Sequence, residues 1–419
     1  MKKQTFATRL RTLSIPLALT IAVVTAAGAQ TRTSGAAQPA ARTFTTLHSF
    51  TGGGSDGASP FASVIADSNG NLYGTTAFGG TSNCGTVFEL MPMNMGGMTM
   101  WMYMELYNFT CGSDGANPYA GLVLDASGNL YGTTVNGGSG TCQVFNMGCG
   151  VVYELMSMGG MEMQILLHTF TGTPGDGATP FTGLVMGPAG TLYGTSFGGS
   201  SGAGTVFRTN ATAENVMFNF KASSDGEKPF TGLLMGPKGI LYGTTSSGGT
   251  YGGGTLFNIS PDGAMMTTLH NFGGRGDGAT PIFGSLAQDT QGSLYGTTEF
   301  GGSHNCGTVF ELMSMMGMEM EMVLYNFTCG SDGGFPSGSL HIDKAGTLYG
   351  TTSCRGCDNS SGTVFKLAGG TLTTLHRFTG GDDGGFPLGG LKGSTNGTLY
   401  GTTNSGGSGG GGTVWSLMP

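Results

Sequence analysis

The sequence has few charged residues and few long hydrophobic runs. Asp, Glu, Lys and Arg make up 10% of its 419 residues, and only 16 residues are Lys or Arg. So few basic residues do not form the positively charged surface that binds nucleic acid or an anionic membrane. Beyond an N-terminal segment, no apolar run is long enough to span a bilayer. No stretch of the mature chain has a 3.6-residue apolar period either, so we expect almost no helix.

The one long apolar run, residues 13–26, is typical of a secretory signal peptide. Basic residues precede this run and a small-x-small cleavage motif follows it: Lys2, Lys3, Arg9 and Arg11, then Ala27-Gly28-Ala29. We therefore predict a signal peptide at residues 1–29, a disordered linker at residues 30–43 and a secreted or periplasmic protein. Cleavage would remove four of the 16 basic residues and none of the 24 acidic residues, which leaves a formal net charge of −12.

Glycine, in contrast, is abundant at 83 residues, and it belongs to a sevenfold repeat. A Leu-Tyr-Gly-Thr-Thr string, ending in Ser in the third unit, is followed by a Gly-Thr-Val-Phe-like strand, a Leu-His-x-Phe-like strand and an Asp-Gly-x-x-Pro turn. The repeat is marked by Tyr73, Tyr131, Tyr193, Tyr242, Tyr295, Tyr349 and Tyr400, at a period of 49 to 62 residues. That period is near the roughly 40 to 50 residues of a propeller blade and well above the roughly 20 to 29 of leucine-rich repeats.

The two ends of the repeat are complementary. Residues 45–50 form a fourth strand (d) with no strand a, b or c before it, and the last unit, about residues 388–417, has strands a, b and c but no d. Joining them completes a blade and removes the exposed edges of an open array. We therefore predict an all-β fold over residues 44–419. It is a seven-bladed β-propeller of four-stranded blades, closed by an N-terminal outer strand that completes the C-terminal blade, and it is expected to be a monomer.

These repeated strings, in this fixed order, resemble the bacterial Gloeo/Verruco (GloVer) tandem-repeat family over about residues 44–417. The resemblance implies an exported protein, in some members with a C-terminal sorting anchor. It implies no established enzymatic activity, no catalytic residue set and no cofactor. The chain departs from the family by ending without such an anchor and by its methionine-rich hairpins.

Eight cysteines in an exported chain predict disulfides. In blades 1 and 5 one cysteine precedes strand c and another follows strand d, and these positions are neighbours in an antiparallel c–d hairpin. The other four lie in two b–c loops and are expected to pair locally. The predicted pairs are Cys84–Cys111, Cys306–Cys329, Cys142–Cys149 and Cys354–Cys357. A four-thiolate zinc site is the alternative, although only one Cys-x-x-Cys is present. We assign no metal.

A carboxylate recurs in every Asp-Gly-x-x-Pro turn, at Asp56, Asp114, Asp176, Asp225, Asp277, Asp332 and Asp383. Seven carboxylates in a ring could hold cations. Asp-Gly is also a common turn pair, because Asp caps the turn and Gly adopts positive φ. We favour the turn interpretation. The repeated histidines His48, His168, His270 and His376 alternate with Tyr107, Phe218 and Tyr325, which predicts a packing role.

Methionines cluster in three c–d hairpins, at residues 91–104, 156–163 and 313–322. Alternation along a strand places many of these thioethers on one side of the hairpin. They are expected to be flexible apolar filler on long outer strands, or an oxidant sink. Soft thioethers also select Cu(I), so a low-affinity copper site is the alternative.

Function is expected to lie on the face formed by the d–a and b–c loops. Glu299 and His304 interrupt a small, neutral loop there, and Arg355 lies between two loop cysteines, so these three residues are the candidate ligand-binding residues. No pair of unique carboxylates with matching spacing is evident. We predict a non-catalytic binding or scaffold module with an extracytoplasmic ligand, either glycan or protein. A glycan-cleaving hydrolase or lyase is the alternative.

Overall fold

The computed structural model describes residues 42–419, except positions 55, 143–147, 159–160, 174, 200, 211–212, 355–356 and 358–359. The predicted signal peptide, most of the predicted linker and Arg355 lie outside the described residues. Within the described ranges there is no α-helix. The helical elements there are two 3₁₀ turns, Pro188–Gly190 and Pro237–Gly239. No helix in this part of the chain could cross a membrane.

Seven antiparallel sheets follow one another along the chain as blades 1 to 7. Six have four strands, and that of blade 3 has a fifth, because Gly177–Ala178 also pairs with its strand b. The a strands are Ile65–Ala66, Val123–Leu124, Val185–Met186, Leu234–Met235, Ala287–Gln288, His341–Ile342 and Lys392–Gly393. The b strands are Leu72–Thr76, Leu130–Thr134, Leu192–Gly198, Leu241–Thr245, Leu294–Thr298, Leu348–Thr352 and Leu399–Thr403. The predicted propeller and its blade count are thus confirmed.

The outer strands differ more in length. The c strands are Thr86–Met95, Val151–Met158, Thr205–Asn210, Thr255–Ile259, Thr308–Met315, Thr363–Ala368 and Thr413–Met418. The d strands of blades 1 to 6 are Met98–Asn108, Met161–Thr169, Ala213–Asn219, Met266–Asn271, Met318–Asn326 and Thr371–Arg377, and Thr43–Ser49 is strand d of blade 7. Short additional strands on the loop face are Gly57–Ala58, Phe78–Gly79, Gly177–Ala178, Gly278–Ala279 and Phe300–Gly301.

The N-terminal strand closes the propeller as predicted. Thr43–Ser49 runs antiparallel to Thr413–Met418, from the pair Thr43 and Met418 to the pair Ser49 and Thr413. The next residue, Phe50, is fully buried and packs with Phe88 and Val414. The strand therefore completes blade 7 and contributes a core residue between blades 7 and 1.

The repeated glycine of strand b lets an aromatic ring pack flat against the sheet. A Cβ on Gly74 would lie 2.5 Å from the ring of Phe88, and one on Gly401 would lie 2.4 Å from the ring of Trp415. Both rings are fully buried. The pairing of a b-strand glycine with a c-strand aromatic thus explains why both motifs recur in each unit.

The Asp-Gly turns are held by bonds within their own loops. The carboxylate of Asp56 accepts hydrogen bonds from the backbone N–H of Thr51 at 2.7 Å and from the Thr51 hydroxyl at 3.0 Å. Strand d contributes a further partner in six turns: His48, His168, His270 and His376 bind through Nε2 at 2.9–3.2 Å, and Tyr107 and Tyr325 through their hydroxyls at 3.1–3.3 Å. Histidine and tyrosine exchange here because both offer a hydrogen bond to the turn, which is more than the packing role expected from sequence.

Three of the expected disulfides are present: Cys84–Cys111, Cys142–Cys149 and Cys306–Cys329, with Cα separations of 5.2–5.6 Å. The expected Cys354–Cys357 bond is absent, and both residues are buried thiols. Cys354 has a left-handed backbone with φ of 45°, and its Sγ lies 3.8 Å from Thr352 Oγ1, at the end of strand b. Burial, followed by a hydrogen bond with Cys354, raises the pKa of Cys357 to about 12.

Candidate functional site

The centre of the propeller is lined by small residues and leaves little space. Ala62, Ser63, Gly121, Gly183, Gly232, Ser285, Ser339, Gly389 and Gly390 surround a central cavity of about 170 Å³. The innermost segments approach one another closely, because a Cβ on Gly338 would lie 2.4 Å from the carbonyl oxygen of Gly389. The innermost segments therefore pack closely around the axis, and Phe61, Tyr119, Phe181 and Phe283 also line the cavity.

Five aromatic rings form an arc around the mouth of this cavity, on the face of the d–a and b–c loops. Neighbouring ring centroids are 4.6, 5.5, 5.4 and 6.1 Å apart along the series Phe61, Tyr119, Phe181, Phe230 and Phe283. Each ring belongs to the segment that leads into strand a of one of blades 1 to 5. We call these five residues the aromatic arc.

A strained backbone conformation recurs immediately before the arc. The residue that precedes the turn proline is not glycine, yet it has φ of +48 to +59° in all five loops: Ser59, Asn117, Thr179, Lys228 and Thr280. Left-handed conformations are unfavourable for such residues and concentrate at functional sites. In the loops leading to blades 6 and 7, Phe335 and Phe386 themselves occupy this left-handed position. Their rings therefore follow a different backbone path, and the arc covers five blades.

The arc borders an apolar cleft of about 550 Å³. Phe78 and Phe283, which are 36% and 38% exposed, lie at its surface, and Phe78 contacts Tyr119 at 6.1 Å between centroids. Tyr119 is half-buried, and burial raises the pKa of its phenol, which is therefore neutral at physiological pH. A cleft of this size is within the range of about 300–1,000 Å³ typical of ligand sites.

The polar groups of the cleft are mostly engaged within the protein. Asn83 Oδ1 accepts the Gly79 N–H at 2.9 Å, and Asn117 Nδ2 donates to the carbonyl oxygen of Ala77 at 2.9 Å. Asn136 Nδ2 donates to Asn117 Oδ1 at 2.9 Å. Asn136 is only 8% exposed, and its Oδ1 is buried with no hydrogen-bond partner in the described part of the chain. The cleft thus offers mainly apolar contact.

Glu299 and His304, two of the three candidate ligand-binding residues from sequence, lie on the same face but outside the lining of the cleft. Glu299 is half-buried beside Phe300, and its backbone N–H donates to the carbonyl oxygen of Thr280 at 3.0 Å. His304 is exposed in the same b–c loop, and its Nδ1 lies 2.9 Å from Ser303 Oγ. Arg355 is outside the described residues. Sequence reasoning missed the aromatic arc, although an aromatic residue directly follows the turn proline in four successive units, at residues 61, 119, 181 and 230.

Comparison with known proteins identifies a repeat family. The Gloeobacter/Verrucomicrobia repeat model matches three overlapping segments, residues 25–147, 139–320 and 288–419. None of the curated proteins matches the sequence significantly.

Solved structures with similar folds are distant in sequence. The extracellular domain of a protein described as a hybrid two-component system from B. thetaiotaomicron is 12% identical, with a TM-score of 0.53 over 88% of this chain and 39% of that chain. PorZ, a surface component of the type-IX secretion system of Porphyromonas gingivalis, is 14% identical, with a TM-score of 0.50 over 86% of this chain and 46% of that one. A protein described as a 6-phosphogluconolactonase from Bacteroides uniformis is 16% identical, with a TM-score of 0.49 over 79% and 88% of the two chains. Similarity at these identities shows a shared fold alone.

Proposed function

Because the chain belongs to the Gloeobacter/Verrucomicrobia repeat family, we propose that it is an exported, non-catalytic binding protein that holds its ligand in the cleft beside the aromatic arc. The proposal rests on the aromatic arc, the continuous series of aromatic rings around the mouth of the central cavity. Three disulfides support a location outside the cytoplasm, where such bonds persist.

The lining favours the apolar side chains of another polypeptide over a glycan. Sugar hydroxyls need several free hydrogen-bonding groups, and the asparagines of the cleft already bond to the protein and to one another. Phenylalanine rings supply large apolar contact area, and aromatic residues are enriched at the centres of protein interfaces.

The same lining argues against the glycan-cleaving alternative. Glycoside hydrolysis requires two carboxyl groups that flank the scissile bond. The described residues that line the cleft include no Asp, Glu or His side chain. The cleft therefore supports binding without acid–base chemistry.

Substitutions in the arc are expected to weaken binding of apolar peptides by tenfold or more. Tyr119→Ala and Phe283→Ala each remove a ring of the arc, and loss of a central aromatic contact commonly costs about 2 kcal/mol or more, where 1.4 kcal/mol is tenfold in affinity. The measurement is binding to an array of 12-residue peptides rich in Leu, Phe and Pro, in parallel with a glycan array. Tyr251→Ala is the matched control, because Tyr251 is 64% exposed in a b–c loop but does not line the cleft.

Peptide binding lost in both arc variants and kept in the control would support the proposal. Equal binding by the arc variants, or selective binding of glycans, would contradict it.

A second candidate function, Cu(I) binding, rests on the register of the methionine hairpins. In blade 1 methionines lie directly opposite one another in every second cross-strand pair of the hairpin. These pairs are Met91 with Met102, Met93 with Met100 and Met95 with Met98. Blade 5 repeats the pattern with Met313 opposite Met320 and Met315 opposite Met318. Side chains two residues apart on a strand share a face, so each hairpin presents a two-column ladder of thioethers. Most are exposed, with Met98 at 72% and Met318 at 69%.

Replacing the four outermost methionines of the blade 1 ladder by leucine is expected to lower the number of bound Cu(I) ions without unfolding the protein. Leucine nearly conserves the volume of methionine and lacks the thioether ligand. The variant carries Met93, Met95, Met98 and Met100 as Leu, and Met235→Leu outside the hairpins is the control. Competition with a chromophoric Cu(I) chelator should show fewer sites in the variant than in the wild type and the control. Unchanged Cu(I) stoichiometry would rule out the ladder as the site.

A further inference from the structure

The junction between blades 4 and 5 combines three metal-ligating side chains. His270 Nε2 lies 2.9 Å from Asp277, as in the other histidine-containing turns. Glu321, on strand d of blade 5, joins this pair across the junction, and the ligand atoms of the three residues all lie within 4.8 Å of one another. The His270 and Asp277 side chains are 23% and 12% exposed, so the group is mostly shielded from solvent.

Glu321 occupies a position that is aromatic at two of the three other junctions with a histidine-containing turn, the third having Glu214. Four residues before the His or Tyr of its own strand d, blade 1 has Tyr103, whose ring stacks on His48 at 4.2 Å. Blade 7 has Phe44 at this position, and its ring stacks on His376 at 3.9 Å. Blade 5 presents a carboxylate to His270 instead of a ring. The repeat itself therefore does not require an acidic residue here.

The carboxylates at this junction also accept fewer hydrogen bonds than the carboxylate of the Asp56 turn. The loop of Asp277 has Gly273 where the loop of Asp56 has Thr51, so Asp277 lacks the threonine bonds. Within the described residues, Asp277 accepts hydrogen bonds from His270 and the Gly278 N–H alone. Glu321 Oε1 is buried with no hydrogen-bond partner there. At the corresponding position of blade 2, the neutral Gln164 instead donates to the carbonyl oxygen of Asp114 at 2.8 Å.

We propose that His270, Asp277 and Glu321 form a three-ligand site for a divalent transition metal ion such as Zn²⁺. Zn²⁺ accepts imidazole nitrogen and carboxylate oxygen ligands, and a site with three protein ligands leaves a fourth position to water or to another ligand. Two carboxylates and one divalent cation give a neutral group, which removes the repulsion between Asp277 and Glu321. The neutral imidazole binds through Nε2 with its proton on Nδ1. Because Glu321 belongs to the next blade, the ion ties blades 4 and 5 together.

The competing arrangement is a proton shared between the two carboxyl groups. Burial, together with the charge of Asp277, raises the pKa of Glu321 to about 7. A neutral Glu321 would satisfy its buried oxygen by donating to Asp277, and no metal would be needed. The two arrangements make opposite predictions for added metal.

Zinc binding to the purified chain without a histidine tag is expected to show one site that depends on Glu321. After chelator treatment and buffer exchange, titration with ZnCl₂ against a chromophoric zinc indicator should give one ion per chain. Glu321→Gln should weaken this binding at least tenfold and His270→Gln likewise, because each replaces a ligand. His376→Gln is the matched control, since His376 makes the same bond to Asp383 and faces the ring of Phe44 instead of a carboxylate. Its affinity should stay within twofold of the wild type.

The visible absorption of bound Co²⁺ provides a second measurement, because it reports the ligands of the ion and not merely a loss of folded protein. Co²⁺ in the wild type should show visible d–d absorption that Glu321→Gln abolishes and His376→Gln keeps. Zinc binding that is equal in the wild type and Glu321→Gln would overturn the proposal, as would the absence of zinc binding to the folded wild type. In the latter case the shared-proton arrangement would hold.

Discussion

Deletion of residues 1–51 is expected to destabilise the protein more than any point substitution considered above. The deletion removes strand d of blade 7, whose residues pair with Thr413–Met418 along its full length. It also removes Phe50, which is fully buried, and Phe44, which packs against Trp415. Losing a single buried Phe side chain costs about 3–5 kcal/mol, so we expect the free energy of unfolding to fall by more than about 5 kcal/mol. The deletion also exposes the edge of strand c, which favours aggregation.

The measurement is thermal and denaturant unfolding, with a deletion of residues 1–41 as the control. The control keeps the closing strand, which begins at Thr43, and should unfold like the full chain. A peptide of residues 42–51 added to the longer deletion should restore part of the lost stability. Equal melting temperatures for the two deletions would show that the closing strand does not stabilise the propeller.

The architecture could be predicted because the same strand and turn motifs recur in seven units of the sequence. The count of Leu-Tyr-Gly-Thr-Thr strings gave the number of blades, and the mismatched chain ends gave the closing strand, later seen as Thr43–Ser49. The positions of Cys84 and Cys306 before strand c, and of their partners after strand d, sufficed for two disulfides, since antiparallel pairing makes those positions neighbours. The expected Cys354–Cys357 bond is not formed in the structure, where both residues are buried free thiols although their side chains lie within hydrogen-bonding reach of each other.

The candidate sites depend on contacts between units, which a repeat does not specify. Glu321 meets His270 across two blades, and neither residue is unusual within its own strand. The aromatic arc similarly requires five separate loops to adopt the same left-handed residue before proline. Single unusual residues such as Glu299 and His304 stood out in the sequence, whereas a ring built from ordinary repeat positions, such as Phe61 and Tyr119, did not.

Gly338→Ala is expected to destabilise the propeller at its axis, whereas Gly121→Ala should not. A Cβ on Gly338 would lie 2.4 Å from the carbonyl oxygen of Gly389 and 2.7 Å from its carbonyl carbon, so the backbone of blade 7 would have to move. A Cβ on Gly121 would have its nearest neighbours at 3.5 Å, in ordinary van der Waals contact. Overpacking costs about 1–3 kcal/mol and occasionally more, while Gly→Ala at an unstrained position stabilises by about 0.4–1 kcal/mol.

Urea denaturation of the two variants measures this difference directly. We expect the midpoint of Gly338→Ala to fall below that of the wild type and the midpoint of Gly121→Ala to equal or exceed it. Both glycines line or adjoin the same central cavity, and both substitutions are Gly→Ala. The intrinsic difference between glycine and alanine is therefore common to both variants and cannot account for a difference between them. If Gly338→Ala were as stable as Gly121→Ala, the innermost segments of blades 6 and 7 could not approach as closely as the Gly338–Gly389 contact requires.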